Sequence, residues 1–159
     1  MSALAAAVVR AARAAGLRIT LAESCTGGMV AAALTDVPGA SAVLDRAVVC
    51  YSNDAKQALL GVHADTLEAH GAVSEAVAAE MAEGALVRAG ADLSVAVTGI
   101  AGPGGSEHKP EGRVCFGIAH RGQPTRAITV EFGALGRDGV RRASCAQALR
   151  MLLAALRGP

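Results

Sequence analysis

The amino-acid sequence predicts an α/β protein, a three-layer α/β/α sandwich with a mixed central sheet. Segments with helical periodicity alternate with short apolar segments typical of strands, an order that places helices on both faces of a sheet. Late in the chain two strand-like segments follow each other with only a short turn between them, which predicts an antiparallel hairpin. The length of 159 residues suits a single domain, 1–159.

The first third of the chain predicts a helix, a strand and a second helix. Residues 3–15 are good helix formers that end at Gly16. Residues 17–22 alternate between apolar and polar side chains, as a half-buried strand does. The spacing of apolar residues over 26–35 is helical again, and this segment ends ahead of Pro38.

The middle of the chain predicts one strand followed by three helices. Residues 46–51 form an apolar run typical of a buried strand. The helices are expected from Ser52 or Asn53 to Gly61, over 65–70 before Gly71, and from the cap Ser74 to Ala89 before Gly90.

The last third predicts the remaining strands and a long final helix. A strand is expected over 93–99, and a hairpin over 113–120 and 125–132 with its turn around 121–123. Residues 138–156 carry a helical pattern of leucines.

Composition and charge limit the classes of function. Hydrophobic residues make up 52% of the chain and charged residues 18%, values typical of a folded domain. The net charge is +1, with no basic stripe in the sequence, so no nucleic-acid partner is expected. Apolar runs are too short to span a membrane and the first residues lack the pattern of a secretion signal, so a cytoplasmic protein without a membrane partner is predicted.

The spacing of cysteines and histidines predicts no metal site. The four cysteines show no CxxC spacing and are expected to be free thiols packed as small apolar residues. The four histidines form no HxxxH or HExxH pair, whereas zinc sites need three or four clustered ligands.

Three of the predicted strands end in loops of small and polar residues, namely 23–28, 51–56 and 98–105. Open α/β sheets bind ligands outside the carboxyl ends of their strands. If these strands are parallel, the three loops border one pocket.

In the first loop Ser24 precedes a predicted helix start, where unpaired backbone N–H groups favour negative charge. The N–H groups of Cys25, Thr26 and Gly27 can bind a phosphate, or an oxyanion if Ser24 attacks a carbonyl. The alternative is that Ser24 or Thr26 merely caps the helix. Cys25 is a rival nucleophile, because a helix N-terminus stabilises a thiolate, but no Cys-His-Asn set accompanies it.

A serine nucleophile needs a base, and no histidine lies within these three loops; His108 lies in the longer tail of the third. Lys56 stands one turn into a predicted helix, and a lysine kept neutral by desolvation can take a serine proton. Tyr51, the only tyrosine, precedes it by five residues, and its hydroxyl is expected to orient the lysine or relay a proton. Alternatively, Lys56 is a solvated helix residue and Tyr51 an amphipathic residue at the end of a strand.

The third loop is rich in glycine and follows a strand, which favours phosphate binding. It lacks the Gly-Lys-Ser/Thr of a Walker loop and the spacing of a dinucleotide fingerprint, so a nucleoside triphosphatase is not expected. Basic residues near it in the sequence are Lys109, Arg137 and Arg141.

Six fragments, taken in order, resemble the C-terminal domain of the CinA proteins, including its stand-alone form: ITLAESCTGG, YSNDAK, HGAVSE, TGIAGPGG, KPEG and GRDGVRR. The resemblance runs from about Leu4 to Leu156. That family includes nicotinamide mononucleotide amidases. The resemblance therefore implies an α/β/α domain that hydrolyses the carboxamide of nicotinamide mononucleotide to the nicotinate form and releases ammonia, without a cofactor.

The same resemblance implies roles for individual residues. It implies Ser24 as the nucleophile, with Tyr51 and Lys56 as its activating partners. The residues expected to bind the substrate are Cys25, Thr26, Gly27, Thr98, Gly99, Gly102 and either Arg137 or Arg141.

Two departures from the family pattern concern the substrate side. Leu135-Gly136-Arg137 stands where the family usually has Gly-Asp-Arg, and the adjacent Asp138 is the residue expected to replace the missing carboxylate. The loop GPGGSEHKP is about one residue shorter than the common form. Altered affinity or specificity is expected, more than lost chemistry.

Two other readings stay open, a non-catalytic module that binds a pyridine nucleotide in the same pocket and a partner domain with a vestigial pocket. Ala-rich amphipathic helices favour a homo-oligomer. The second domain of longer family members has no counterpart in this sequence, so an activity belonging to it is not expected.

Overall fold

The computed structural model describes residues 1–106 and 108–158, and in this part of the chain five strands form one mixed sheet. The strands are β1 (Ile19–Glu23), β2 (Leu44–Val49), β3 (Leu93–Gly99), β4 (Arg113–His120) and β5 (Arg126–Glu131). Their order is β2-β1-β3-β4-β5; β1 is parallel to both of its neighbours, and β4 is antiparallel to β3 and β5. The predicted mixed sheet is confirmed.

Helices cover both faces of this sheet. They are α1 (Ser2–Ala15), α2 (Met29–Thr35), α3 (Asn53–Leu60), α4 (Ala64–His70), α5 (Glu75–Ala89) and α6 (Gly136–Arg157), with a short 3₁₀ helix at Ala40–Ala42. The first, second and sixth helices pack on one face, and the third, fourth and fifth on the other. The three-layer α/β/α architecture is thus confirmed. None of the described helices is long and apolar enough to cross a membrane.

Local sequence signals account for several of the helix ends. Ser52 and Ser74 cap α3 and α5, each accepting a hydrogen bond from a backbone N–H three residues later. Gly16, Gly61 and Gly90 end α1, α3 and α5 in the left-handed conformation that glycine adopts at low cost. These predicted boundaries are confirmed to within one residue.

Two expectations about local structure are wrong. The second helix begins at Met29 and not at residue 26, because Gly27 and Gly28 adopt positive φ angles of 57° and 100° in a turn that precedes it. The strand β2 is not of the buried type: it pairs only with β1 at the edge of the sheet, and Val49 at its end is 47% exposed. A run of apolar residues does not distinguish an edge strand from a central one.

Small residues allow the layers to approach closely. A β-carbon on Gly117 of β4 would overlap the carbonyl of Ala78, and one on Gly84 would overlap the carbonyl of Leu60. Helix α5 therefore lies directly against the sheet and against α3. This close packing lets a chain with only 2% aromatic residues form a core.

Because β1, β2 and β3 are parallel, their carboxyl ends lie at one edge of the sheet. The three loops that follow these strands meet there, as the sequence predicts.

Candidate active site

A cavity of about 330 Å³ lies at this edge and is bordered by all three loops. The predicted site residues that line it are Ser24, Cys25, Tyr51, Lys56, Thr98, Gly99, Gly102 and Arg137. Residues far apart in the sequence are therefore gathered at one cavity, which is the arrangement that an active site requires.

The side chains of Ser24 and Lys56 are in contact. Ser24 follows the last residue of β1, and its backbone N–H donates a hydrogen bond to the Val97 carbonyl, so the sheet positions it. Lys56 reaches it from the first turn of α3, and its Nζ lies 3.1 Å from the serine Oγ. Both residues are buried, with 7% of Ser24 and 2% of Lys56 exposed.

Two backbone carbonyl groups also hold the lysine amine. Its Nζ lies 3.3 Å from the Cys50 oxygen and 3.4 Å from the Tyr51 oxygen. An ammonium group can donate to these two carbonyls and to Ser24. A neutral amine can donate to the two carbonyls and accept the serine proton through its lone pair. The same geometry therefore suits the amine before and after a proton transfer.

The turn that carries Ser24 leaves two backbone donors near it. The Gly27 N–H donates to the Ser24 carbonyl at 3.0 Å, so it does not point at a ligand. Within the described residues, the N–H groups of Cys25 and Thr26 donate to no carbonyl or carboxylate oxygen. Thr26 is fully buried and does not line the cavity, so of the three predicted anion donors only Cys25 remains.

A buried glutamate, which the sequence analysis did not identify, caps α2. The Glu23 carboxylate is 1% exposed and accepts hydrogen bonds from the N–H groups of Gly28, Val30 and Ala31, at 3.0 to 3.2 Å. It therefore occupies the N-terminus of α2, where the sequence predicted an anion site. The cap was missed because Glu23 lies six residues before the helix, whereas a cap is expected from a Ser, Thr, Asp or Asn next to the first helical residue.

We expect Glu23→Gln to lower the free energy of unfolding by about 2 kcal/mol, because a neutral amide accepts the helix N–H groups less well and turns one end into a donor. Urea denaturation measures this difference. Asp138→Asn is the matched control, because that carboxylate forms only an exposed pair with Arg142, and it should change stability by less than about 0.5 kcal/mol. Equal stabilities of the two variants would contradict the capping role.

Tyr51 contributes two separate groups to the site. Its backbone carbonyl contacts Lys56, whereas its hydroxyl accepts a 2.6 Å hydrogen bond from Arg137. The side chain is 61% exposed at the mouth of the cavity. The structure therefore places the hydroxyl against Arg137. The sequence had led us to expect it beside Lys56, to orient the lysine or relay a proton.

The glycine-rich third loop is held over the cavity by charged residues. Lys109 donates to the carbonyls of His70 and Val73, at 2.7 and 2.6 Å. Glu111 accepts from the N–H groups of Gly104 and Gly136, at 2.7 and 3.2 Å, and so links this loop to the start of α6. Both side chains thus stabilise the wall of the site.

Three predicted substrate-binding residues do not line the cavity. Arg141 instead donates to the carbonyls of Cys25 and Thr26 and so holds the turn from behind. Thr26 is fully buried, and Gly27 lies exposed on the far side of the turn. Arg137 is the arginine at the cavity: it donates to the Gly102 carbonyl at 2.6 Å as well as to Tyr51.

The acidic residue expected to replace the missing carboxylate does not do so. Asp138 pairs with Arg142 on the surface of α6 at 2.8 Å, and its side chain is 72% exposed. The Gly136 N–H is satisfied by Glu111.

The cavity also has lining residues that sequence reasoning did not assign, including Asn53, Ala72, Val73 and Ser106. Ala72 and Val73 belong to the fragment HGAVSE. This fragment contributed to the family resemblance, but none of its residues was assigned a role in the site. The Ala72 carbonyl accepts a hydrogen bond from the Thr98 hydroxyl at 2.9 Å, which fixes that side chain in the wall.

All four cysteines are buried free thiols, so that prediction is confirmed. Burial raises the pKa of the Cys25 thiol to about 12, so it carries little thiolate at neutral pH. Ser24 is therefore the stronger candidate nucleophile. Among the described residues, no group of three or more His, Cys, Asp and Glu side chains is arranged to hold a metal ion.

Buried thiols predict a loss of stability at alkaline pH. Burial raises the pKa of Cys50 and Cys145 from 9.0 to about 11. Between these values the unfolded chain has lost thiol protons that the folded chain keeps, so unfolding releases protons and the free energy of unfolding falls as pH rises. Urea denaturation at about pH 8 and about pH 10.5 measures the fall, which Cys145→Ala should reduce. The same fall in that variant would contradict this origin.

Comparison with known proteins identifies the family. The sequence model of the CinA C-terminal domain matches residues 1–156. A CinA-like protein of Chlorobaculum tepidum is 52% identical over 143 residues, 89% of this chain and 33% of that protein. A CinA-like protein of Mycobacterium sp. strain MCS is 53% identical over 144 residues, 89% of this chain and 34% of that protein. The chain thus spans about a third of the length of these curated relatives.

Solved structures agree in fold. The competence/damage inducible protein CihA of Agrobacterium tumefaciens superposes with a TM-score of 0.93 at 46% identity, covering 98% of this chain and 94% of that one. A CinA superfamily protein of Klebsiella pneumoniae superposes with a TM-score of 0.94 at 41% identity, covering 98% and 97%. The chain belongs to the CinA C-terminal domain family.

Proposed function

We propose that this protein is an amidohydrolase that converts nicotinamide mononucleotide to nicotinate mononucleotide and ammonia. The observation that carries the proposal is the buried 3.1 Å contact between Ser24 Oγ and Lys56 Nζ at a cavity. A nucleophile, a base and a backbone N–H donor at one cavity are parts that acyl transfer needs.

The reaction begins with the activation of Ser24. In this proposal the buried Lys56 amine acts in its uncharged form. Its lone pair takes the serine proton while its other hydrogens stay on the Cys50 and Tyr51 carbonyls. The serine oxygen then attacks the carboxamide carbon, and the electron pair of the C=O bond moves to the oxygen. The N–H group of Cys25, a residue that lines the cavity, stabilises this oxyanion.

The tetrahedral intermediate collapses when the C–N bond breaks. Lys56, now protonated, returns its proton to the leaving nitrogen, and ammonia departs from the ester of Ser24. Water then loses a proton to Lys56 and attacks the ester carbon. Cleavage of the ester releases the carboxylate and restores both side chains.

The mouth of the cavity favours a substrate with an anionic group. Among the described residues, Arg137 donates only to neutral acceptors, the Gly102 carbonyl and the Tyr51 hydroxyl, and it forms no ion pair with a carboxylate. Its charge and its remaining N–H groups can bind a phosphate. The volume of about 330 Å³ suits a mononucleotide, since small-molecule sites span roughly 300–1,000 Å³.

An ammonia-release assay with nicotinamide mononucleotide tests the proposal, with chromatography to identify the product. We expect equimolar ammonia and nicotinate mononucleotide, and slower release from nicotinamide riboside, which lacks the phosphate. Thermal stabilisation by the nucleotide without ammonia release would overturn the amidase and support a binding module. The absence of both effects would overturn either function.

A further inference from the structure

The carboxylate of Glu111 joins the glycine-rich loop to the start of α6. Its Oε1 accepts a 2.7 Å hydrogen bond from the Gly104 N–H, and its Oε2 accepts a 3.2 Å hydrogen bond from the Gly136 N–H. Each oxygen thus holds one peptide group, and the two groups belong to segments far apart in the sequence. The side chain is half-buried and does not line the cavity. Glu111 therefore connects two segments and does not contact the substrate.

The two segments that Glu111 joins are the ones that hold Arg137 at the mouth of the cavity. Gly136 directly precedes Arg137 in the chain. Gly102, whose carbonyl accepts a 2.6 Å hydrogen bond from Arg137, lies two residues before Gly104. Gly102 also packs directly on Glu111, because a β-carbon at that glycine would overlap the carboxyl group. The backbone on both sides of the hydrogen bond between Arg137 and Gly102 is therefore held by one carboxylate.

The same carboxylate completes the N-terminus of α6. Leu135, the residue that precedes this helix, makes no side-chain capping hydrogen bond. Glu111 supplies an acceptor from another segment and places a negative charge where the helix dipole favours one. Among the described residues, this carboxylate forms no ion pair with Arg137. The guanidinium is thus held in place without a salt bridge that would compete with an anionic ligand.

We propose that Glu111 is a positioning residue that sets Arg137 to bind the phosphate of the substrate. This inference rests on the proposed function, in which Arg137 binds that phosphate. An exposed arginine has many rotamers, so fixing its partners before the substrate arrives lowers the entropic cost of binding. Without Glu111 the loop and the helix are no longer joined at this point, and Arg137 loses a fixed place for its hydrogen bond to Gly102.

The preference for a phosphate is measured without turnover in the Ser24→Ala background, as the Kd of nicotinamide mononucleotide and of nicotinamide riboside by calorimetry. Glu111→Gln should raise the Kd of the nucleotide by about tenfold, because an amide has one acceptor oxygen for two N–H groups. The Kd of the riboside should change by less than about threefold, since it lacks the phosphate. The control Glu80→Gln alters a half-buried carboxylate that accepts the His63 N–H at 2.8 Å and does not line the cavity, so both Kd values should stay unchanged.

A double-mutant cycle distinguishes positioning of Arg137 from a general effect on the cavity. Arg137→Met alone should raise the nucleotide Kd at least as much as Glu111→Gln does. In the Arg137→Met background, Glu111→Gln should raise that Kd by less than about twofold, because the side chain that it positions is gone. An undiminished effect in this background would overturn the inference, since Glu111 would then act independently of Arg137.

Glu111→Asp tests the link between two peptide groups against negative charge alone. Aspartate keeps the charge near the start of α6, but its shorter side chain cannot reach both N–H groups. It should therefore lose the preference for the nucleotide as Glu111→Gln does. A wild-type preference in Glu111→Asp would overturn the positioning role. If thermal unfolding shows that the glutamine variant does not fold, the aspartate variant carries the same test.

Ammonia release by the wild type, measured in parallel, separates this inference from the proposed function. An unchanged nucleotide Kd in Glu111→Gln would overturn the inference even if ammonia is released. A selective loss of nucleotide binding in a protein that releases no ammonia would support the positioning role and overturn the amidase alone. Equal affinity of the Ser24→Ala protein for nucleotide and riboside, or binding of neither, would overturn the inference, and ammonia release would still decide the amidase.

Discussion

Ser24→Ala is expected to lower kcat for ammonia release by at least roughly 10⁴-fold, the largest effect of any single substitution in this chain. Alanine removes the only atom that forms the covalent bond, while the cavity, Arg137 and the Cys25 N–H stay in place. The variant should therefore still bind nicotinamide mononucleotide, which thermal stabilisation measures.

Ser94→Ala is the matched control for this substitution. Ser94 is likewise a buried serine, but it lies within β3, away from the cavity, and its hydroxyl has no partner within the described residues. Its replacement should leave kcat within a few-fold of the wild type. If Ser24→Ala also stays within a few-fold, the acyl-enzyme mechanism is excluded.

Lys56→Met is expected to lower kcat by roughly 10³-fold, because it removes the base that takes the serine proton. Methionine has nearly the same length as lysine and needs no hydration, so it can occupy the buried space. The variant loses the hydrogen bonds to Ser24 and to two carbonyls but no longer buries an amine. The unfolding midpoint is measured beside kcat, because a variant that is still folded shows that the kinetic loss reports on chemistry.

Lys56→Arg distinguishes a base from a simple positive charge. A guanidinium stays protonated at neutral pH, so it cannot accept the serine proton. If Lys56 is the base, this variant is as inactive as Lys56→Met. If the arginine variant keeps a substantial part of the wild-type rate, and thermal unfolding shows it to be folded, the residue acts through its charge and the proposed mechanism is wrong.

Much of the fold could be predicted because its signals are local. The caps Ser52 and Ser74 and the glycine that ends α1 determine their own helix boundaries through bonds to nearby residues. The edge position of β2 could not be predicted, because it depends on which strands lie beside it. The start of α2 was misplaced for a similar reason, since its cap Glu23 comes from the preceding strand.

The candidate site divides in the same way. Residue types and their positions after strands, together with the family resemblance, indicated Ser24, Lys56 and the glycine-rich loop. The resemblance could not distinguish Arg137 from Arg141, because both stand on one helix one turn apart. Only packing separates them: one reaches the cavity and the other reaches the carbonyls behind the turn.

The sequence by itself determined the elements, the fold class and the chemical groups available to the site, because these follow from side-chain type and from contacts between near neighbours. The tertiary structure alone decided which groups meet. It placed the Ser24 oxygen against the Lys56 amine, the Tyr51 hydroxyl against Arg137 and the Glu23 carboxylate against the start of α2. Such contacts depend on distances across layers and loops, which the order of residues along a chain does not specify.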